Sequence, residues 1–327
     1  MSELDVGIFL LPEDSPERTI ELIELCEEVG LSSVGVADSH MLWDDVYVIL
    51  GAAAERTERI RLGPWVTNAL TRHETVTTNA IATLNALSGG RAFLGIGYGD
   101  SAVKTIGMRP QRLAELVSSV DRMRTLASGA TLETETGKWW IKSASDDFFV
   151  YWAADGPRSL ADAGRYGDGV VANGLLVPEH MEFMKSHIRN GAKSAERPPG
   201  QPEIVFNTGI AIEDDGAKAR QVAKPYLART LCHDVSSWMP GWDEAASVEF
   251  RAKYDYYRHI DAEHEIASLV PDELVTRKAI AGTPDECADL VRLVMENGFD
   301  RLMLLLLGDA ETTIRRLADE VLPKAMA

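Results

Sequence analysis

The sequence predicts an α/β fold, a (β/α)8 TIM barrel with a helical insertion after its seventh strand. Three observations predict it. Short apolar runs alternate with amphipathic helical segments eight times along the chain, the pattern of a closed parallel sheet wrapped by helices. The 327 residues, 45% of them hydrophobic, suffice for one barrel core, since such barrels run past ordinary domain size. Residues 1–327 are therefore read as a single domain. Third, the rhythm is broken only once, over residues 229–275, which are aromatic and polar. A doubly wound open sheet is the alternative arrangement of the same alternation.

Asp5–Leu11, DVGIFLL, reads as the first strand. Ser15 and Pro16 then open a helix as N-cap and first helical residue. Ile20, Ile23 and Val29 mark its apolar face and Gly30 its end. The second unit is a strand over Val34–Ala37 and a helix over Val46–Arg56. The third is a strand over Ile60–Val66 and a helix over Thr75–Leu87, stopped by Ser88-Gly89-Gly90. Arg91–Gly97 is the fourth strand and Arg112–Leu126 its helix; a polar excursion around Lys138-Trp139-Trp140-Ile141 reads as a hairpin. Phe148–Ala153 and Pro157–Tyr166 form the fifth unit, and Gly169–Ala172 with Pro178–Ala195 the sixth. Ile204–Ile212 and a helix from Asp215 form the seventh. The insertion follows, then a helix over Asp285–Asn297, the eighth strand Arg301–Leu307 and a last helix Glu311–Ala325.

Barrels of this kind carry their chemistry at the C-terminal ends of the strands. That rule selects residues 37–43, 64–73, 97–104 and 153–158, and it makes the insertion a candidate lid on the same side. The insertion's aromatics (Trp238, Trp242, Phe250, Tyr254, Tyr256, Tyr257) either line a substrate pocket or serve as core or dimer interface.

Composition narrows the function. Lys and Arg number 33 against 51 Asp and Glu, a formal net charge of −18. Such a surface repels phosphate backbones, so nucleic acid is not an expected partner. Cys26, Cys232 and Cys287 are far apart and form no C-x-x-C pair. Neither a disulfide framework nor a zinc site is expected, and the usage fits a reducing cytoplasm. The segment MSELDVGIFLLPED lacks the basic region and long apolar run of a secretion signal. The longest apolar run, Leu302–Leu307, is far below the roughly 20 residues that span a bilayer, so no membrane partner is expected. His259 and His264, with Asp261, Glu263 and Glu265 nearby, are five apart and do not share a helix face, so no metal is expected. His180, His187 and His233 are placed on helix surfaces. No Ser-His-Asp order, nucleophile elbow or phosphate loop occurs.

The most informative residues are 65–73, WVTNALTRH, and 88–102, SGGRAFLGIGYGDSA. Gly95, Gly97 and Gly99 do not make a dinucleotide loop, because the sixth position of that fingerprint is Asp100, an anion that would repel a pyrophosphate. Gly97 and Gly99 instead fit a strand end where the backbone lies flat beside a planar ring. The pattern S-G-G-R-x-x-L-G-I-G-x-G-D, preceded by T-N-x-x-T-R-H, resembles the methylenetetrahydromethanopterin reductase branch of the bacterial-luciferase-like superfamily, which uses the deazaflavin coenzyme F420. The eightfold alternation and the insertion after strand seven are similar to that superfamily as well, so the resemblance spans essentially the whole chain. Residues 37–43, ADSHMLW, resemble the D-H…W element of deazaflavin-dependent dehydrogenases, with Ser39 inserted between Asp38 and His40. Residues 154–158, ADGPR, resemble the family's phosphate-binding turn, and Asp155 departs from the small or neutral residue usual there.

The resemblance implies a flat ring with a phosphate tail across the barrel mouth. Gly156 and the helix after it would supply N–H donors and a dipole for the tail, flanked by Ala154 and Asp155. Pro64, Trp65 and Val66 match the family's non-prolyl cis peptide that backs the ring; for Trp65 a core side chain is the alternative. Thr67, Asn68, Gly97, Tyr98 and Gly99 complete the expected cofactor contacts, with Asn68 at the polar edge. Arg72 and His73 either bind a cofactor anion or lead into the third helix. Asp100 is the first catalytic candidate, a proton donor or a tuner of hydride transfer whose pKa partial burial would raise; a solvated or helix-capping aspartate is the alternative. His40 is the second, exchanging the proton that accompanies hydride transfer, with Asp38 orienting it or touching the ring; a structural histidine is its alternative. The implied activity is F420-dependent hydride transfer to or from a small organic substrate. An FMN-dependent monooxygenase is the alternative, and a non-catalytic flavin-binding protein a third reading. A homodimer through the early helices is also implied.

Overall fold

The computed structural model describes residues 5–135, 137–144, 147–232, 244–258, 260 and 265–327. β1 (Asp5–Leu10) leads into α1 (Pro16–Glu28), whose N-cap Ser15 accepts from the Arg18 N–H and whose Pro16 has no N–H to satisfy. β2 (Ser33–Val36) and α2 (Val46–Arg56), β3 (Arg61–Pro64) and α3 (Glu74–Leu87), and β4 (Phe93–Ile96) with the short α4 (Ser101–Lys104) and α5 (Leu113–Ala127) follow. An antiparallel hairpin, β5 (Leu132–Thr134) and β6 (Gly137–Trp139), stands where a hairpin is expected. Next come β7 (Phe149–Ala154) and α6 (Pro157–Tyr166), β8 (Gly169–Asn173) and α7 (Pro178–Ser194), and β9 (Glu203–Ile212) and α8 (Gly216–Leu231). The insertion holds α9 (Glu244–Lys253), two 3-10 turns and α10 (Asp272–Lys278). β10 (Ile280–Gly282), α11 (Pro284–Glu296), β11 (Arg301–Leu306), α12 (Ala310–Arg316), a π-helical turn and α13 (Leu322–Ala325) end the chain.

The eight barrel strands run in the order β3-β2-β1-β11-β9-β8-β7-β4 with every neighbouring pair parallel. The two ends of that order meet. Leu62 bridges Ala92 and Thr67 bridges Ile96, with the Thr67 N–H on Gly95 O at 2.9 Å and the Gly97 N–H on Thr67 O at 3.0 Å. The sheet is therefore a barrel, and the open-sheet alternative falls. Its interior is filled by Trp65, Phe93, Tyr151, Val171, Val205 and Met303. A larger apolar shell lies between strands and helices, and a third cluster, including Tyr226, Phe250 and Leu274, sits beneath the insertion.

Some expectations change. α8 runs on through Leu231, so residues 229–231 belong to its last turn and not to the insertion. The three-residue β10 pairs with β9 and is too short to show a strand period. His180 is not on a helix surface. It is buried in the first turn of α7, where its Nδ1 accepts the Leu175 N–H at 3.0 Å. The insertion reaches this loop: the Leu176 N–H donates to Arg277 O of α10. His187 is half-buried, with Nδ1 2.8 Å from Phe183 O. Of the insertion aromatics, Phe250 is buried and Tyr257 is exposed. Trp238, Trp242, His233, His259, Asp261, Glu263 and His264 lie outside the described residues. Among the described residues no helix is long and apolar enough to cross a membrane, and no three His, Cys, Asp or Glu side chains gather into a group that would hold a metal.

Candidate active site

A cavity of about 390 Å³ opens at the C-terminal ends of the strands. Its floor is Trp65, Val171, Asn207 and Leu305; its walls come from the loops after β2, β3, β4 and β7; Tyr226 and Arg229 of α8 and Ile260 of the insertion cover it. Asp38, Trp65, Val66, Thr67, Asn68, Tyr98, Gly99, Asp100, Ala154 and Asp155 all line it. The structure thus gathers residues spread over more than a hundred positions of sequence, because consecutive βα loops of a parallel barrel emerge on one face.

The peptide Trp65–Val66 is cis, at the site the resemblance assigns. The indole of Trp65 points inward. It is 3% exposed, lies edge-on to Phe93 and Tyr151 with centroids at 5.7 and 5.2 Å, and donates from Nε1 to Asn207 Oδ1 at 2.9 Å. The side chain is therefore core and cavity floor, and Val66 lines the cavity beside it. On the neighbouring strand end, hydrogen-bonded to Thr67, a Cβ on Gly97 would stand 3.3 Å from Val66 Cγ2 and 3.5 Å from Ala153 Cβ, while a Cβ on Gly95 would collide with Pro64 O. Glycine at these positions permits the close approach of the two strand ends, and Gly97 itself does not line the cavity. Tyr98 does line it, edge-on to Trp152 at 6.4 Å.

Asp38 is 5% exposed and satisfied twice over. Thr67 Oγ1 donates to it at 2.6 Å, and Arg72 Nη1 reaches both its oxygens at 2.8 and 2.6 Å. Arg72 also donates to Asp45, the N-cap of α2, at 2.8 Å. Burial opposes the charge on Arg72, but Asp38 and Asp45 outweigh it and raise its pKa. Arg72 is thus occupied by two carboxylates, and His73 caps α3. Both lead into the third helix. Asn68 Oδ1 accepts the Leu70 and Thr71 N–H groups at 2.9 Å each, which fixes the loop after β3.

His40 is exposed and does not line the cavity. Ser39 does, with its Oγ 2.6 Å from Ser101 Oγ. The inserted residue explains this. Leu42 and Trp43 N–H groups both donate to Ser39 O, so the chain turns at Ser39 and carries His40 outward.

Asp100 carries an ion pair on each oxygen. Lys104 Nζ lies 2.6 Å from Oδ1 and Arg229 Nη2 3.0 Å from Oδ2. Lys104 also donates to Tyr256 OH at 2.7 Å. Burial opposes the charges on Lys104 and Arg229, yet Asp100 outweighs it and both pKa values are raised. Lys104 and Arg229 thus hold the Asp100 carboxylate in place at the rim of the cavity. Lys104 is one helical turn from Asp100, a spacing legible in sequence. Arg229 and Tyr256 come from 129 and 152 positions away from their partners, and no local signal marks them.

At the turn before α6, the Gly156 and Asp155 N–H groups donate to Ser159 Oγ at 3.1 and 3.3 Å. The Gly156 N–H expected for a phosphate is thus engaged by the helix's own serine. Asp155 Oδ1 accepts from Asn173 Nδ2 at 2.6 Å, and Asn207 Nδ2 donates to Asn173 Oδ1 at 2.6 Å. Asn173 ends β8 and Asn207 sits inside β9, and neither is anticipated by the sequence reading.

A closed parallel barrel with a cavity at its mouth, apolar beside Val66 and charged at its rim, defines a barrel enzyme with a site for an organic ligand. The residues present fit a flat ring with a polar edge, since apolar Trp65, Val66, Ala153 and Leu305 line the same cavity as polar Asp38, Thr67 and Asn68. The chain belongs to the luciferase-like monooxygenase family, whose sequence profile matches residues 4–301. It is 29% identical over 309 residues to the 5,10-methylenetetrahydromethanopterin reductase of Methanolobus tindarius, covering 91% of this chain and 92% of that one. It is 25% identical to an F420-dependent glucose-6-phosphate dehydrogenase of Amycolatopsis mediterranei, covering 95% of each. Among solved structures, the coenzyme F420 dependent tetrahydromethanopterin reductase of Methanopyrus kandleri superposes with a TM-score of 0.79 at 25% identity, over 98% of this chain and 99% of that one.

Proposed function

We propose that the protein is an F420-dependent oxidoreductase that transfers a hydride between the deazaflavin and a small organic substrate. The observation that carries this reading is the cavity at the C-terminal ends of the strands, lined by Trp65, Val66, Thr67, Tyr98 and Gly99, on a chain similar end to end to reductases and dehydrogenases named for F420. When bound, the deazaflavin gives or accepts the hydride. The chain's own residues do the rest. Val66, Thr67, Asn68, Gly97, Tyr98 and Gly99 hold the ring. Ala154, Asp155 and Gly156 flank the tail. Asp38, held by Arg72 and Thr67, lines the polar side of the cavity.

Asp100, held by Lys104 and Arg229, takes the catalytic role at the rim, exchanging a proton or tuning hydride transfer. Tyr256 and Ile260 bring the insertion over the cavity and exclude water, which strengthens every charge interaction inside. Exposed Val48 on α2 and Val76 and Leu87 on α3 support a homodimer through the early helices. The test is a fluorescence titration of the purified protein with F420 and, separately, FMN. Saturable F420 binding with no FMN binding is expected. FMN binding alone, or binding of neither, overturns the reading.

A further inference from the structure

Four side chains form a hydrogen-bonded line across the cavity floor. Trp65 Nε1 donates to Asn207 Oδ1 at 2.9 Å, Asn207 Nδ2 to Asn173 Oδ1 at 2.6 Å, and Asn173 Nδ2 to Asp155 Oδ1 at 2.6 Å. The line has one possible direction. An indole N–H only donates and a carboxylate only accepts, so turning either amide around would set two donors or two acceptors against each other. Asn207 is 6% exposed and Trp65 3%, so such a mismatch would be buried and costly. The core end of the line therefore dictates how Asn173 faces Asp155.

Asp155 precedes Gly156, the N-cap of α6, and the first turn of α6 holds no acidic residue. A carboxylate in that place, left to itself, swings onto the helix N-terminus, where bare N–H groups and the dipole attract it. There it would occupy the position of any incoming anion and repel it. Here the carboxylate is drawn the other way, onto the end of β8. The Ser159 hydroxyl, a neutral and displaceable group, meets the turn's N–H groups instead.

We infer that Asn173, oriented by Asn207, is a positioning residue that holds the Asp155 carboxylate off the α6 N-terminus and so keeps that end of the cavity open to the phosphate tail of the cofactor. The inference rests on the F420 reading above. It also accounts for an acidic residue at a turn where the family resemblance leads one to expect a small or neutral one.

The experiment measures equilibrium binding by fluorescence for two ligands, F420 and its deazaflavin chromophore without the phosphate tail. Three proteins are compared: wild type, Asn173→Ala, and Asn173→Ala combined with Asp155→Ala. Loss of one charge-assisted hydrogen bond frees the carboxylate, so Asn173→Ala is expected to weaken F420 about tenfold and to leave the tail-less chromophore unchanged. Adding Asp155→Ala is expected to restore F420 binding, which a folding defect in Asn173→Ala would not allow. Unchanged F420 binding in Asn173→Ala, equal loss of both ligands, or no restoration in the double variant overturns the inference while the cofactor reading stands. Wild-type protein that binds neither ligand removes the cofactor reading, and this inference with it.

Discussion

Two side chains that looked alike in sequence separate by their surroundings. Asp100 lines the cavity and is clamped by Lys104 and Arg229, whereas His40 is turned outward. Asp100→Asn is therefore expected to fold normally and lose about 100-fold in kcat, the lower end of the range for lost acid–base help. His40→Ala is expected to lose less than about tenfold, below that range. Steady-state kinetics with F420 on both variants checks this, and the reverse order would discard the assignment. A third position concerns stability. Arg72→Met leaves Asp38 as a buried carboxylate with only Thr67 as partner. Breaking one side of a buried pair costs about 3–5 kcal/mol, so urea unfolding should show a loss of that order, and a change under about 1 kcal/mol would mean that Asp38 relaxes. Much of this site was legible, because the loop after β3 and the G-x-G-D segment are contiguous in sequence. Arg229, Tyr256, Asn173 and Asn207 were not, since each acquires its role from a partner that only the barrel brings near.

The elements themselves were legible to within a residue or two wherever an apolar run had a clear end. Pro157 opens α6 and Gly90 precedes the return to β4. What periodicity did not reveal was how closely α6 and α7 approach. Gly164 of α6 reads as a helix-weakening glycine in isolation. In the fold, a Cβ there would collide with Ile188 O of α7, and a Cβ on Gly191 of α7 would collide with Ala161 O of α6. The two helices meet backbone to backbone through reciprocal glycines. Gly164→Ala gains up to about 1 kcal/mol in helix propensity but costs about 1–3 kcal/mol in overpacking. The contact is with backbone, which cannot rotate aside, so the cost wins and a lower Tm is expected. An unchanged or higher Tm would show that α7 shifts freely. The insertion was read as helical, but β10 escaped reading for the opposite reason. Three residues carry no period.

At the scale of the whole molecule, a titratable group sits where the loop after β8 meets the insertion. His180 accepts the Leu175 N–H through Nδ1, which requires that nitrogen to be unprotonated. Beside it Lys278 Nζ donates to Gly174 O and the Leu176 N–H donates to Arg277 O, tying α10 to the loop after β8. Burial, and then the Lys278 charge, push the His180 pKa from 6.5 down to about 4. A depressed folded-state value means that the unfolded chain binds the proton more readily. The stabilisation is therefore complete above about pH 6.5 and is lost as pH falls toward 4. Over that window the unfolded state gains a proton the folded state refuses, and the loss is on the order of 2 kcal/mol by pH 4.5. The net charge of −18 works against this trend, because acid relieves the repulsion among carboxylates. A raw stability curve would mix the two effects, and a variant separates them. His180→Asn keeps an acceptor for Leu175 and removes the titration, while leaving every other charge in place. Its unfolding free energy should match wild type near pH 7 within about 1 kcal/mol and exceed it by about 2 kcal/mol at pH 4.5. Parallel pH curves for the two proteins would show that His180 protonates in the folded state without cost, and that the loop joining barrel to insertion is not held through its imidazole.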